Sequence, residues 1–192
     1  MKMVINMKIT YITGNWAKLK QARNLLEPLG IEVDNLKLDV PEIQAYHMEE
    51  VAKFKAKWAS NELKQAVLVN DNGLIIKALN GFPCVYTHYV QDTLGEDGIL
   101  KLMEGIEDRE ACFSQTLAYC EYGEEPVTFT AITKGSIAHE KDGQYGWSWD
   151  FIFIPEGQDK VLGCFEDGVR FNMWNDDCYF ELVEYLKRKN EE

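Results

Sequence analysis

The first seventy residues alternate between strand-forming and helix-forming segments, and this alternation most limits the folds open to the chain. Residues 8–13 are β-rich, Gly14-Asn15 interrupts them, and residues 16–27 carry Leu and Ala at helical spacing. The same patterns predict a strand at 31–38, an amphipathic helix at 49–63 and a short buried strand at 67–69. Such alternation predicts an α/β fold with helices flanking a sheet.

The second half of the chain is richer in strands. We predict a helix at 95–103, strands at 112–121, 127–138 and 151–154, and a closing helix at 177–189. The later strands either extend the first sheet or form a second lobe. With 192 residues, the chain has the length of one domain, or of two lobes that share a core. A cleft between lobes is a common place for a ligand.

Charge and hydropathy exclude several classes of function. The chain has 20 Lys and Arg against 32 Asp and Glu, a net charge of -12 that opposes coating of DNA or RNA. A small phosphorylated ligand remains possible. The apolar runs are too short to span a membrane, and the N-terminus does not resemble a signal peptide. Five cysteines without C-x-x-C spacing favour a reducing cytoplasm over a disulfide framework or a zinc site.

The junction between the first strand and the first helix is a candidate anion site. Thr13-Gly14-Asn15 leads into the helix, and Lys18 lies in its first turn. Free backbone N–H groups and the positive end of the helix dipole favour a phosphate there, with Lys18 adding a mobile charge. The same residues are also typical of a simple Gly-Asn turn followed by an exposed lysine.

Two carboxylates are candidate metal ligands. Glu42 follows the second strand, and Asp71 is predicted to end the strand at 67–69. Ligands of open α/β sheets bind at the carboxyl ends of strands, and Mg²⁺ binds few protein oxygens together with phosphate and water. The alternative is that Asp71 closes a turn before Gly73 and that Glu42 only faces solvent.

An aromatic run at 145–151 is unusual for a turn region. Trp147 or Trp149 is suited to stack on a nucleobase, although tryptophan more often fills a core. The three histidines show no ligand spacing. Neither a Gly-x-Ser-x-Gly elbow nor a Walker-type loop is present, and nothing supports Cys84 and His88 as a nucleophilic pair.

In this order, the motifs resemble those of the inosine triphosphate pyrophosphatase family, the non-canonical purine NTP pyrophosphatases, over about residues 8–155. The family's Thr-Gly-Asn-x-x-Lys is present, and so are its acidic residue after the second strand and its Glu-x-x-x-x-Lys-Ala. The most specific motif, Asp-x-Gly-Leu-x-x-x-Ala-Leu-x-Gly-x-Pro, keeps every fixed position. These motifs fall on Thr13, Gly14, Asn15, Lys18, Glu42, Glu50, Lys55, Ala56, Asp71, Gly73, Leu74, Ala78, Leu79, Gly81 and Pro83.

The resemblance implies an elongated, two-lobed mixed-sheet fold with a central cleft, in which residues 1–192 form one pyrophosphatase domain. It implies a homodimer that hydrolyses a nucleoside triphosphate to the monophosphate and pyrophosphate with Mg²⁺. Glu42 and Asp71 would bind the metal, and Asp71 would also activate water, with Lys18 assisting catalysis. The residues that would bind substrate are Thr13, Gly14, Asn15, Lys18, Lys55, Gly73, Trp147, Trp149, Asp150, Arg170, Asn175 and Asp176.

The chain departs from the family pattern at three places. Asn70 stands where an acidic residue usually precedes Asp71, and Ser148 and Phe151 replace the Gly and Pro of an aromatic-Gly-aromatic-Asp-Pro motif. The family's Ser-His-Arg, which donates to the 6-keto oxygen of the purine, is replaced by 174–176, Trp-Asn-Asp. An ionised Asp accepts only, and would favour a base with ring N–H or amino groups.

Three functions therefore remain open. The first is a pyrophosphatase for non-canonical purine nucleotides such as ITP or XTP. The second is a nucleotide-binding sensor without turnover, motivated by Asn70 and by the missing Ser-His-Arg. The third is a pyrophosphatase with shifted base specificity.

Overall fold

The computed structural model of the protein describes residues 7–191. Residues 1–6 lie outside this range. They include most of the N-terminal segment that we expect not to be a signal peptide. The α-helices of this range are α1 (Trp16–Leu26), α2 (Met48–Leu63), α3 (Thr87–Thr93), α4 (Gly95–Leu102), α5 (Asp167–Arg170) and α6 (Asp177–Lys189). The strands are β1 (Met7–Ile12), β2 (Ile31–Leu36), β3 (Val67–Ile76), β4 (Glu110–Cys120), β5 (Val127–Ile137) and β6 (Phe153–Pro155). Short 3₁₀ helices occupy Glu27–Leu29, Lys77–Leu79, Cys84–Tyr86, Ser148–Phe151, Leu162–Cys164 and Phe171–Met173.

The strands form a six-stranded mixed sheet in the order β2-β1-β3-β4-β5-β6. β1 is parallel to both neighbours, with Tyr11 opposite Asn35 on one side and Leu68 on the other. β5 and β6 are antiparallel, with Ser136 opposite Ile154. The sheet and its helices confirm the α/β class expected from the alternating sequence pattern.

The chain divides into two compact units. The first comprises residues 1–71, 115–131 and 176–192, and the second comprises 72–114 and 132–175. The largest core cluster of the first unit joins β1 and β2 to α1, β4, β5 and α6. The second unit has a core of its own, which includes Leu74, Phe113, Trp149 and Phe153.

Helix α6 shows why the amphipathic pattern at 177–189 predicts a helix. Its buried residues recur at helical spacing, and its last turn carries three basic residues, which suit the negative end of the helix dipole. The buried face packs in the core of the first unit, where Tyr179 and Leu182 are fully buried. The helix is therefore fixed by apolar burial along one stripe.

Strand β3 corrects the prediction that Asp71 ends a short strand at 67–69. The strand continues through Asn70-Asp71-Asn72-Gly73 to Ile76, so Asp71 lies inside it. Asn70, Gly73 and Leu74 are buried. This packing outweighs the local preference of Asn, Asp and Gly for turns.

Two further details differ from the sequence prediction. The strand expected at 151–154 is the shorter Phe153–Pro155, and a 3₁₀ helix occupies Ser148–Phe151 just before it. Helix α3 and the short helix α5 were not predicted, because neither is long enough to establish a helical period.

Candidate active site

The turn between β1 and α1 is built by its own polar side chains. Asn15 caps α1: its Oδ1 accepts hydrogen bonds from the backbone N–H groups of Ala17, at 2.9 Å, and Lys18, at 3.3 Å. Thr13 Oγ1 accepts from the backbone N–H of Asn15 at 3.0 Å. The three atoms nearest to a Cβ on Gly14 would be side-chain carbons of Lys37, at 3.4 Å or more. The fold itself therefore tolerates a side chain there, which leaves close approach of a ligand as the predicted reason for glycine.

Lys18 links this turn to β3. Its Nζ donates to the backbone carbonyl of Asn70 at 2.8 Å. Burial lowers the pKa of Lys18, and so does the nearby ammonium of Lys55, while the Asp71 carboxylate opposes both. The structure thus places a poorly solvated cation next to Asp71, at the start of the helix.

Lys55 connects the two predicted metal ligands. Its Nζ lies 2.7 Å from Asp71 Oδ1 and 2.8 Å from Glu42 Oε1. The side chains of Lys55 and Asp71 are 15% and 14% exposed, whereas that of Glu42 is 71% exposed. Burial alone would lower the pKa of Lys55, but the two carboxylates outweigh it and raise the pKa. Lys55 is therefore a firmly protonated ammonium.

The donor set fits a magnesium ion. The second oxygen of Asp71, Oδ2, is buried and has no hydrogen-bond partner, so it is open to another ligand. Mg²⁺ is commonly bound by one or two carboxylates plus substrate phosphates and water, and Glu42 with Asp71 provides that number. Among residues 7–191 there is no group of three or more His, Cys, Asp and Glu side chains placed to bind a metal.

Asn70 does not share the environment of Asp71. Its Nδ2 lies 3.3 Å from Tyr179 Oη, and the residue is 8% exposed. Successive side chains of a strand point to opposite faces, which accounts for the separation of Asn70 from the Lys55 ion pair. The amide is thus part of a buried polar contact with α6.

The second unit holds three of the predicted substrate-binding residues in one cluster. Arg170 forms ion pairs with Asp150 and Asp167, and its guanidinium carbon lies 5.2 Å from the centre of the Trp147 ring. Burial raises the pKa of Asp150, although the backbone N–H of Trp147 and the charge of Arg170 oppose this. Asp167 was not predicted as a partner of Arg170, although it lies only three residues before it in the chain.

The other predicted substrate-binding residues are placed differently. Trp149 is 6% exposed and belongs to the core of the second unit, and Gly73 is buried in β3. Asn175 bonds to β5 through Ile132 and Thr133.

Asp176 is held by a relay that the sequence reading missed. Gln115 donates to Gln21 at 3.2 Å, and Gln21 donates to Asp176 Oδ1 at 2.6 Å. Burial raises the pKa of Asp176, opposed by the bond from Gln21. Gln21 lies three residues after Lys18, on the same helical face, and this spacing was the available signal.

A large groove lies elsewhere in the second unit. It has a volume of about 740 Å³ and is lined by residues of β3 to β6, including Ile75, Cys112 and Ile132. It contains none of the predicted site residues. The groove is therefore not part of the candidate active site described above.

Fold and site together define a mixed α/β protein with lysines and carboxylates gathered beside a helix N-terminus, an arrangement suited to a phosphorylated ligand and a divalent cation. Residues 9–169 match the Ham1 family, and the chain belongs to that family. This confirms the family resemblance predicted from the motifs.

Individual relatives agree in sequence and in fold. The chain is 49% identical over 156 residues to a dITP/XTP pyrophosphatase of Methanopyrus kandleri, covering 81% of this chain and 83% of the relative. It is 44% identical over 156 residues to the Pyrococcus horikoshii protein of that name, with coverage of 81% and 83%. The solved HAM1 protein of Coxiella burnetii superposes with a TM-score of 0.81 at 24% identity, covering 95% and 99% of the two chains.

Proposed function

We propose that this protein hydrolyses a non-canonical purine nucleoside triphosphate, of the ITP or XTP class including deoxy forms, to the monophosphate and pyrophosphate. One structural observation carries the proposal: Lys55 is held between Glu42 and Asp71, with Lys18 against the neighbouring residue of β3. These residues offer both charge signs that phosphoryl chemistry requires. The relatives named dITP/XTP pyrophosphatase support this substrate class.

The phosphate-binding part of the site rests on cations and on the turn before α1. Lys18 and Lys55 would offset the negative charge of the triphosphate and of the departing pyrophosphate. Thr13, Gly14 and Asn15 would bring backbone N–H groups to the phosphates at the positive end of α1. Because Lys55 is already held by two carboxylates, little ordering of its long side chain remains when substrate binds.

We assign to Asp71 the orientation and deprotonation of the attacking water molecule. Its Oδ1 is engaged by Lys55, which fixes the carboxylate, and its buried Oδ2 is without a partner. A carboxylate held in this way can orient a water molecule and take its proton as the water oxygen bonds to the α-phosphorus and the bond from that phosphorus to the departing pyrophosphate breaks. Mg²⁺, bound by Glu42 and Asp71, would neutralise phosphate charge and lower the pKa of bound water.

The base would be bound by residues of the aromatic run and its neighbours. Trp147 is suited to stack on it. The resemblance implies Trp149, Asp150, Arg170, Asn175 and Asp176 as further residues of this part of the site. Burial raises the pKa of Asp176, and its carboxylate, which accepts a hydrogen bond from Gln21, can also accept one from the ring N–H of an oxopurine. This offers a physical route to recognition of an oxopurine without the family's Ser-His-Arg.

Three further parts of the proposal rest on the family resemblance and composition. We infer that residues 1–192 form one pyrophosphatase domain, that it works as a homodimer, and that it acts in the cytoplasm on a nucleotide rather than on a nucleic acid. No disulfide joins the five cysteines, all of which lie within residues 7–191. Within the described residues, no helix is both long and apolar enough to cross a bilayer. Light scattering of the purified protein would give its oligomeric state.

A pyrophosphate-release assay tests the main proposal. The protein is mixed with a panel of natural and damaged nucleoside triphosphates, in Mg²⁺ or in EDTA, and pyrophosphate and monophosphate are both measured. We expect release in Mg²⁺ with an oxopurine preferred and equal amounts of the two products. Nucleotide binding without release from any member would instead favour the sensor, and preference for another base would show shifted specificity.

A further inference from the structure

Arg170 is a charged side chain that lies almost wholly inside the second unit. The residue is 2% exposed, and its two terminal nitrogens are engaged by carboxylates: Nη1 by Asp150 and Nη2 by Asp167, the latter at 2.6 Å. Its Nε is buried without a hydrogen-bond partner. A guanidinium so enclosed has little surface left to offer to a ligand.

The same guanidinium lies over aromatic rings. Its carbon is 5.2 Å from the centre of the Trp147 ring and 5.1 Å from that of Phe171. These distances lie within the range of cation–π attraction. Trp147 nevertheless keeps 42% of its surface exposed. The ring is thus held from one side by a buried cation while much of it stays accessible.

The backbone of Trp147 is fixed by the same ion pair. Asp150 Oδ2 accepts from the backbone N–H of Trp147 at 3.1 Å and also receives Arg170 Nη1. Gly146, the residue before Trp147, has φ +80°. A Cβ on Gly146 would lie 2.1 Å from Arg170 Nη1 and 2.2 Å from Asp150 Oδ2. The chain therefore passes directly against the ion pair, and the position and ring of Trp147 depend on it.

We propose that Arg170 is a positioning residue that holds the Trp147 ring ready to stack on the planar base of a nucleotide, without touching that base itself. The proposal rests on the proposed function and deepens its base-binding part. A ring fixed before binding loses less conformational freedom when the base arrives, so removal of Arg170 weakens nucleotide binding through Trp147. A residue that contacted the base directly would act independently of the ring.

The test is a double-mutant cycle read by equilibrium binding. Calorimetry gives the Kd of inosine monophosphate and, separately, of inorganic pyrophosphate for the wild type, Arg170→Met, Trp147→Ala and the double variant. We expect each single change to weaken monophosphate binding about 10-fold, with the double variant no weaker than the weaker single variant. Pyrophosphate, which has no base, should bind all four proteins with Kd values within about 2-fold.

Two results would overturn the proposal. Multiplying losses, about 100-fold in the double variant, would mean that Arg170 contacts the base itself. An equal loss for pyrophosphate in Arg170→Met would mean that the whole protein has been disturbed. Because binding is measured without turnover, failure of this proposal is distinct from failure to release pyrophosphate from a nucleoside triphosphate.

Arg170→Met leaves Asp150 and Asp167 without their cation, and the variant could fail to fold for that reason. Milder variants therefore provide a second test. Arg170→Lys keeps the charge beside Asp150 but lacks the planar group that covers the ring, and should weaken monophosphate binding by about 3-fold. Trp147→Phe keeps a stacking ring and should lose less than Trp147→Ala. Wild-type affinity in a folded Arg170→Lys protein would contradict the role of the guanidinium.

Discussion

The ammonium of Lys55 donates to Asp71 Oδ1 across 2.7 Å, and both side chains are largely withdrawn from water. Removing one partner of such a pair leaves the other charge poorly solvated, and this limits the substitutions that can test the site without damaging the fold. Amide substitution keeps the shape and one acceptor oxygen, so it is the cleaner choice at Asp71.

Asp71→Asn should lower kcat for pyrophosphate release by at least about 100-fold, because the amide can neither take a proton from water nor bind a cation as a carboxylate does. Circular dichroism and thermal melting would check that the variant is folded. Asp92→Asn, an exposed carboxylate on α3, is the matched control and should keep the wild-type rate. A folded Asp71→Asn protein with a near-normal rate would refute the assigned role.

Removal of divalent cations should stop pyrophosphate release, and Mg²⁺ should restore it. A second readout is independent of turnover: Mg²⁺ with pyrophosphate should raise the Tm of the wild type by mass action, since only the folded protein holds the complete site. We expect the rise to be much smaller in Asp71→Asn, measured by differential scanning fluorimetry. An equal rise in both proteins would place the metal elsewhere.

The lowered pKa of Lys18 predicts that substrate affinity depends on pH. Burial lowers its pKa below the ordinary 10.5, so the charged form that binds phosphate is lost at a lower pH than for an exposed lysine. KM for the nucleoside triphosphate should therefore stay level near neutral pH and rise in the alkaline range below pH 10.5. Lys18→Arg should flatten this rise, because arginine remains protonated. Identical profiles for both proteins would assign the titration to another group.

Gly146→Ala should destabilise the protein by at least about 2 kcal/mol, since it adds a clash with the Arg170–Asp150 pair to the strain of a left-handed backbone. Gly157→Ala is the matched control: the backbone there is also left-handed, at φ +82°, but a Cβ would meet nothing within 4 Å. It should cost only about 1 kcal/mol. Urea unfolding would measure both, and equal losses would mean that the close approach at Gly146 does not matter.

The alternation of strands and helices was predicted from sequence because each element repeats a local pattern. Helix α6 buries a stripe at helical spacing, and β1 alternates in polarity, so neighbouring residues alone indicate both. β3 was predicted too short, since Asn70 to Gly73 favour turns locally. Their conformation is decided by burial and by partners on other elements, among them Tyr179 and Lys55.

The candidate site was also predicted only in part: its residues were predicted from sequence, but the contacts between them were not. Motif order alone pointed to Thr13, Asn15, Lys18, Glu42, Lys55 and Asp71. The structure joins them through the cap on α1, the bond from Lys18 to β3 and the two ion pairs of Lys55. Lys55 as the link between the carboxylates was not predicted, because side-chain pairing across 13 and 16 residues leaves no periodic signal.

The sequence by itself determined the α/β class, the family and the identity of the candidate phosphate- and metal-binding residues, all of which depend on short-range pattern and motif. Only the tertiary structure decided that Asp71 lies inside β3, that Gln21 holds Asp176, and that Arg170 is enclosed by Asp150, Asp167 and the Trp147 ring. The physical reason is that a buried charge must be paired, and its partners come from whatever segments the fold brings together.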